Sequence, residues 1–330
     1  MNIYSFKKIG YDPFIDFIKA FAIICVLIGH TFPSLEMIGY GFWAGMQVPL
    51  FVLVQSFHSL KKEHNKFQFK KILWRIFIPF ILVEVAIFII LLFMQPDIYN
   101  IKGLVKEYIT GGGIGPGSYF PWIYLQIAII LPLLSIFVRK FTKLQLVVIF
   151  LLMCEGMEIL CSVVDLPDNI YRLLALRYLF LVYLAWIWIK DGIVVNAKTV
   201  VLSLLSILAA VYFSYYSIDD EPLFFNTSWK LHRWPCYYYV AIALVGALYI
   251  IYNWISKNDI VNKTVKMLAR CSYEIFLVQM VVCTICPSFG FIPNQIIRIS
   301  FKILVIFAVS IIGGYYFNIW YGKFLKRCLH

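Results

Sequence analysis

The sequence predicts an all-α, polytopic integral membrane protein with about ten transmembrane helices and both termini on the cytoplasmic side. Three observations predict it. Of the 330 residues, 62% are hydrophobic and only 14% charged, and the mean hydropathy is +0.84. The apolar residues gather in runs of about 20, the length that crosses a ~30 Å hydrocarbon layer as a helix. The basic residues between those runs fall mostly on alternate loops. A water-soluble domain cannot hide so large an apolar share, whereas a bundle in lipid has no need to.

The first run, 14–33, is long enough to span, and no small-residue cleavage site follows it, so it reads as a span and not as a signal peptide. The second, 42–60, carries VPLFVLVQSF, and the third, 72–94, follows a basic stretch, KKILWRIFIPF. The fourth, 119–138, opens from the glycine-rich KEYITGGGIGPGSYFPW, and the fifth, 144–164, carries Glu155 and Glu158. Spans at 170–189, 198–216, 234–254, 272–291 and 299–321 complete the set. The longest connections, 95–118 and 217–233, have room for loops or short re-entrant pieces, not for an independent fold. With no internal repeat and no low-complexity tract, residues 1–330 read as a single transmembrane domain.

Orientation follows from Lys and Arg, because short cytoplasmic loops carry their excess. With the amino terminus inside, Lys7, Lys8, the basic stretch 61–75, Arg139 to Lys143, Lys190, Lys198, the stretch 257–270 and Lys323 to Arg327 all fall inside. The outside segments collect Glu36, Asp97, Glu107, Asp165, Asp168 and the run Asp219 to Glu221. The net charge of +12 is thus a topological signature, and no nucleic acid is implied. Most of the eight cysteines lie in apolar runs, where a reduced thiol packs as a small hydrophobe. Cys283-x-x-Cys286 has redox-motif spacing without the βαβ setting it needs, and reads as packing. No metal site and no permanently bound cofactor are expected.

Ionisable groups are costly in hydrocarbon, yet the first span, IDFIKAFAIICVLIGHTFP (15–33), keeps Asp16, Lys19 and His30. The spacing of Lys19 and His30 leaves them about 20° apart around a helix and roughly 16 Å apart along it. Asp16 falls about 40° off the same line. One face therefore carries a cation toward the cytoplasm and an imidazole toward the outside. Two readings fit. In one, Lys19 meets the anionic head of a long cytosolic donor such as acyl-coenzyme A, and His30 is a general base on a hydroxyl at the far end. In the other, Lys19 snorkels to the inner interface beside Asp16 and His30 only hydrogen-bonds within the bundle.

Lys19-x10-His30 resembles the [R/K]-x10-H motif of the membrane acyltransferase-3 family. These are ten-helix proteins that pass acyl groups, usually from acetyl-CoA, to acceptors such as cell-surface sugars. VPLFVLVQSF (48–57) resembles the family's second-span segment, and KKILWRIFIPF (70–80) its basic lead-in to the third span. GPGSYFPWIYLQ (115–126) resembles the block at the fourth span, and CSYEIFLVQ (271–279) the family's SYxIYLxH near the ninth. The pieces come in family order along most of the chain.

The resemblance implies an acyl-CoA-dependent O-acetyltransferase of the cell membrane, the bacterial inner or plasma membrane; the extracytoplasmic esterase-like domain that some family members carry is not expected in residues 1–330. It implies polysaccharide modification: acetyl-CoA as donor substrate and a glycan or lipid-linked sugar as acceptor, in contact with membrane lipid. It also implies His30 as the catalytic base, Lys19 as a donor contact, and Arg75 as the second arginine of an R-x-x-R element that engages the coenzyme. Ile72 stands where the first arginine is expected, so Lys71 or Lys70 substitutes, as a point charge without the bidentate grip of arginine. Gln55-Ser56 replaces the family's Ser-Gly, and Gln279 its frequent ninth-span histidine. A glutamine hydrogen-bonds but does not titrate.

Glu84, without a nearby cation in the outer half of the third span, is the second catalytic candidate. Glu155 and Glu158 share a helix face and read either as partners of Arg172 and Arg177 or as groups that orient His30. Tyr119, Trp122 and Gln126 are expected beside the acceptor. The aromatic rings there fit either sugar stacking or an ordinary interfacial belt. The triple glycine reads as a flexible lid or re-entrant loop, since it lacks the Gly-Lys-Ser/Thr ending of a P-loop. The rival class is a secondary transporter with an intramembrane His/Glu proton relay, against which stands the lack of a repeat or of matched broken helices.

Overall fold

The computed structural model describes residues 2–4, 11–32, 46–61, 69–94, 101–164, 166–216, 234–286, 289 and 292–329. Strand β1 (Asn2–Tyr4) leads into α1 (Pro13–Thr31). Asp12 caps α1 by accepting the Phe14 amide at 3.1 Å, and the Tyr4 hydroxyl donates to the same carboxylate at 2.7 Å. Pro13 fits the first turn because its missing N–H would have no partner there. Next come α2 (Gln47–Leu60), α3 (Phe69–Ile72), a π-helical turn over Leu73–Phe77, and α4 (Ile78–Met94). Helix α5 (Ile101–Gly111) precedes the glycine loop, and α6 (Phe120–Lys140) and α7 (Lys143–Val163) follow it.

A short α8 (Asp168–Tyr171) and a 3-10 turn at Leu176–Tyr178 lead to α9 (Leu179–Asp191). Strand β2 (Ile193–Val194) pairs antiparallel with β1. Helices α10 (Ala197–Tyr216), α11 (Trp234–Ile255), α12 (Asp259–Arg270), α13 (Ser272–Ile285) and α14 (Gln295–Leu329) complete the chain.

Among the described residues, five helical stretches are long and apolar enough to cross a membrane: Pro13–Thr31, Lys70–Met94, Phe120–Lys140, Lys143–Cys161 and Gln295–Cys328. Helices α12 and α13 pass the same test together but meet at 69°, which makes six if the bent pair is one span. A helix lies at each of the ten expected positions, but α2, α9 and α13, at 14, 13 and 14 residues, are shorter than a full crossing. Expected span 42–60 begins, and 272–291 ends, outside the described residues, as do the side chains of Glu155 and Glu158. The expected span 170–189 needs correction, since continuous helix begins only at Leu179. Its first part is a broken stretch whose backbone is satisfied by Gln126: the amide donates to Leu173 O at 2.5 Å and accepts from Ala175 N at 3.1 Å. Non-helical backbone at membrane depth persists where protein supplies such partners.

Helix α1 is the hub. In its spanning window 56% of residues are buried, against 11% for α14. Phe14, Ile15, Ile18 and Ala22 join a cluster with α2, α6, α7 and α9, while Ala20, Ile23, Val26 and Leu27 join another with α4 and α13. The outer helices turn apolar side chains outward instead, with Phe93 83% and Leu133 71% exposed. Helix α14 lies hard against α13. A Cβ on Gly314 would stand 2.5 Å from Ile275 Cα, so only glycine lets those backbones meet.

Candidate active site

The lead-in KKILWRIFIPF does not run as a regular α-helix. Pro79 lacks an N–H, and its ring crowds the carbonyl four residues back, at Arg75. The turn ahead of it widens, with Ile78 N reaching Leu73 O. A π turn leaves carbonyls to find outside donors. Tyr273, from CSYEIFLVQ, donates its hydroxyl to Ile76 O at 2.7 Å, and Tyr321 of α14 donates to Trp74 O. Two sequence-distant blocks thereby fix the backbone on either side of Arg75. The Arg75 side chain is exposed, with no carboxylate at ion-pair distance among the described residues.

Arg75 lines a cavity of about 630 Å³, within the range of roughly 300–1,000 Å³ common to small-molecule sites. Lys19 and His30 line it from α1, Gln55 and His58 from α2, and Lys71 from α3. Gly117, Tyr119 and Tyr124 contribute from the glycine loop and α6. The bend between α12 and α13 brings in Arg270, whose side chain also lacks an ion-pair partner among the described residues, and Phe276. Lys19 sits 3.4 Å from Asp16, which also accepts the Tyr11 hydroxyl at 2.8 Å. Burial, and then that carboxylate, push the Tyr11 phenol up. Of the residues singled out in the sequence, Lys19, His30, Lys71, Arg75 and Tyr119 line this cavity.

Nδ1 of His30 is buried without a partner, which leaves Nε2 as the nitrogen that meets the cavity. The imidazole lies beside the glycine loop. A Cβ on Gly117, whose φ is +89°, would stand 2.7 Å from the Phe276 ring and 3.5 Å from His30 Cε1. At the other end of the loop, Ile114 N donates to Glu84 Oε2 at 2.8 Å. A Cβ on Gly113 (φ +144°) would meet Glu84 Oε1 at 2.5 Å. The expected lid is therefore a re-entrant loop packed into the bundle, with glycines where neighbours leave no room for a side chain.

The remaining candidates lie elsewhere. Glu84 is 3% exposed and holds the loop without lining the cavity. Trp122 donates its indole N–H to Gly112 O at 2.6 Å and packs edge-on against Phe77. Gln126 serves the break before α9. Neither lines the cavity. Sequence reasoning missed Arg270 and Gln55 as lining groups. Arg270 was visible two positions before Ser272 of SYEIF, but was read only as a topological charge. Gln55 stood out as a polar departure inside a span; its Nε2 donates to Tyr124 O at 2.9 Å.

Residues 12–319 match the family profile described as an acyltransferase domain. The chain belongs to the membrane acyltransferase-3 family. No curated protein and no solved structure matches it. As a member of that family it is a membrane acyltransferase with several apolar membrane helices. In this acyltransferase the pieces of the family resemblance meet around one space. The first-span motif, the basic lead-in, the glycine block and the SYEIF segment each contribute lining residues.

Proposed function

We propose that this acyltransferase moves an acetyl group from cytosolic acetyl-CoA to a hydroxyl of a cell-surface or lipid-linked glycan. One observation carries the reading. A single cavity is lined by the cations Lys19, Lys71, Arg75 and Arg270 and also by His30, which lies roughly 16 Å from Lys19 along α1. The cations suit the phosphates of the coenzyme, arginine through paired N–H donors and lysine as a point charge. Phe51, Tyr124 and Phe276 supply walls for the slender arm. His30 Nε2 takes the proton from the acceptor hydroxyl, whose oxygen attacks the thioester carbon. The C–S bond breaks, the coenzyme sulfur leaves with that proton from the imidazolium, and the base is restored. Transfer is direct, with no acyl group stored on the protein.

The membrane setting is part of the same proposal: ten spans, both termini cytoplasmic, in a bacterial inner or plasma membrane, with the donor entering from inside and the glycan from outside. Acetyl-CoA binding to the purified protein tests it, with wild type compared to Arg75→Ala and His30→Ala. Binding weakened in Arg75→Ala, and kept without turnover in His30→Ala, is expected. A wild type that binds no acetyl-CoA overturns the donor assignment.

A further inference from the structure

The mechanism asks for a base at Nε2 of His30, so the ring proton must sit on Nδ1, and something must hold it there. His30 packs against α13 at the turn that carries Phe276 and Gln279, since the Gly117 backbone approaches both the Phe276 ring and the imidazole. Gln279 is 0% exposed, and its amide interacts with the His30 ring. That amide is oriented: Nε2 donates to Cys283 Sγ at 3.1 Å, one turn further along α13. The amide oxygen is thus the end left over. Oε1 of Gln279 and Nδ1 of His30 are both buried and both without a hydrogen-bond partner. Leaving such atoms unpaired inside the bundle is costly. Each can satisfy the other only if a hydrogen lies between them, and an amide oxygen never supplies one.

We propose that Gln279 is a positioning residue that sets the tautomer of His30. The Nδ1–H donates to Gln279 Oε1, and the Nε2 lone pair points into the cavity. Cys283 acts at one remove, as the acceptor that keeps the amide from turning over. An acceptor on the far ring nitrogen fixes both the ring orientation and the proton position of a working histidine. The catalytic consequence rests on the base role given to His30 above; the tautomer itself does not.

The experiment uses full-length protein in lipid nanodiscs with ¹⁵N-labelled histidine, the His30 signal being identified by its loss in His30→Ala. Wild type should show the Nδ1–H tautomer, and Gln279→Met a mixture of the two. An Nε2–H ring in wild type, or an unchanged tautomer in Gln279→Met, overturns the proposal whether or not acetyl-CoA is the donor. Acetyl-CoA turnover gives the second arm. Gln279→Met should lower kcat about 10–100-fold with KM for the donor unchanged, while Gln279→Glu, which keeps an acceptor oxygen, should retain most of kcat. A purely structural glutamine predicts the opposite order, because a buried carboxylate is harder to accommodate than an apolar side chain of similar shape. Wild type without turnover would sink the donor assignment, and the tautomer would still decide Gln279.

Discussion

Replacing Gln126 by leucine separates two accounts of that residue. If it contacts the acceptor, Gln126→Leu weakens acceptor binding and leaves the fold intact. The structure instead gives its amide two backbone partners in the break before α9, Leu173 O at 2.5 Å and Ala175 N at 3.1 Å. Leucine matches the volume roughly but satisfies neither. Orphaning a buried donor or acceptor costs about 1–3 kcal/mol, so two orphans come to about 2–6 kcal/mol. Gln126 is only half-buried, and water reaching part of the site places the expected loss at the low end, about 2–3 kcal/mol. Denaturant or thermal unfolding in detergent reads it, with Gln126→Glu as comparison. A carboxylate accepts from Ala175 N but cannot donate to Leu173 O, so Glu should fall between wild type and Leu. A Gln126→Leu protein that unfolds like wild type while its KM for the acceptor rises would refute the structural account and restore the binding one.

Two further substitutions probe the basic side of the cavity. Arg270→Ala should weaken acetyl-CoA binding by the worth of one charge-assisted hydrogen bond, about 1.5–3 kcal/mol or roughly 10–150-fold. Added salt should shrink the difference, and titration calorimetry at two ionic strengths checks it. Tyr273→Phe removes the hydroxyl that caps Ile76 O in the π turn. It should cost about 0.5–1.5 kcal/mol of stability and loosen Arg75, weakening donor binding less than Arg75→Ala does.

How much of this was legible in the sequence depended on where each residue's partner lies. Lys19 and His30 were legible because both sit on one rigid helix, where spacing alone gives the shared face and the separation. The widened turn at Leu73–Phe77 was not read from the sequence, although Pro79, which removes a hydrogen bond wherever a helix carries it, was its local cause. Arg270 was not legible as a lining group either. Its role depends on the 69° bend after it, and hydropathy reports apolar length without direction. Trp122 and Gln126 were expected beside the acceptor, but their partners are backbone atoms at Gly112, Leu173 and Ala175. A side chain's own type says that it needs a partner, not which one it finds. Gln279 was the opposite case. As a departure from histidine it first counted against proton transfer at its own position, and the same inability to titrate is what suits it to hold a neighbour's proton still.

In the proposed reaction, the placement of the two chemical ends on α1, and not on two different helices, follows from what the cavity must keep constant. A donor bound by its head and reacting at its far end needs the distance between them fixed to within a fraction of an ångström, because a small misplacement costs rate steeply. Loops and lipid-facing helices do not hold such a distance. Helix α1 does, because it is capped by Asp12, is the most buried of the five long apolar helices among the described residues and is packed on both faces. Its register is equally unforgiving: one residue more between Lys19 and His30 would turn the imidazole by about 100° and advance it about 1.5 Å. The proposed donor contacts Arg75, on its widened turn, and Arg270, at the α12–α13 bend, lie around this ruler. In the proposed mechanism the hub keeps the reacting nitrogen in one place.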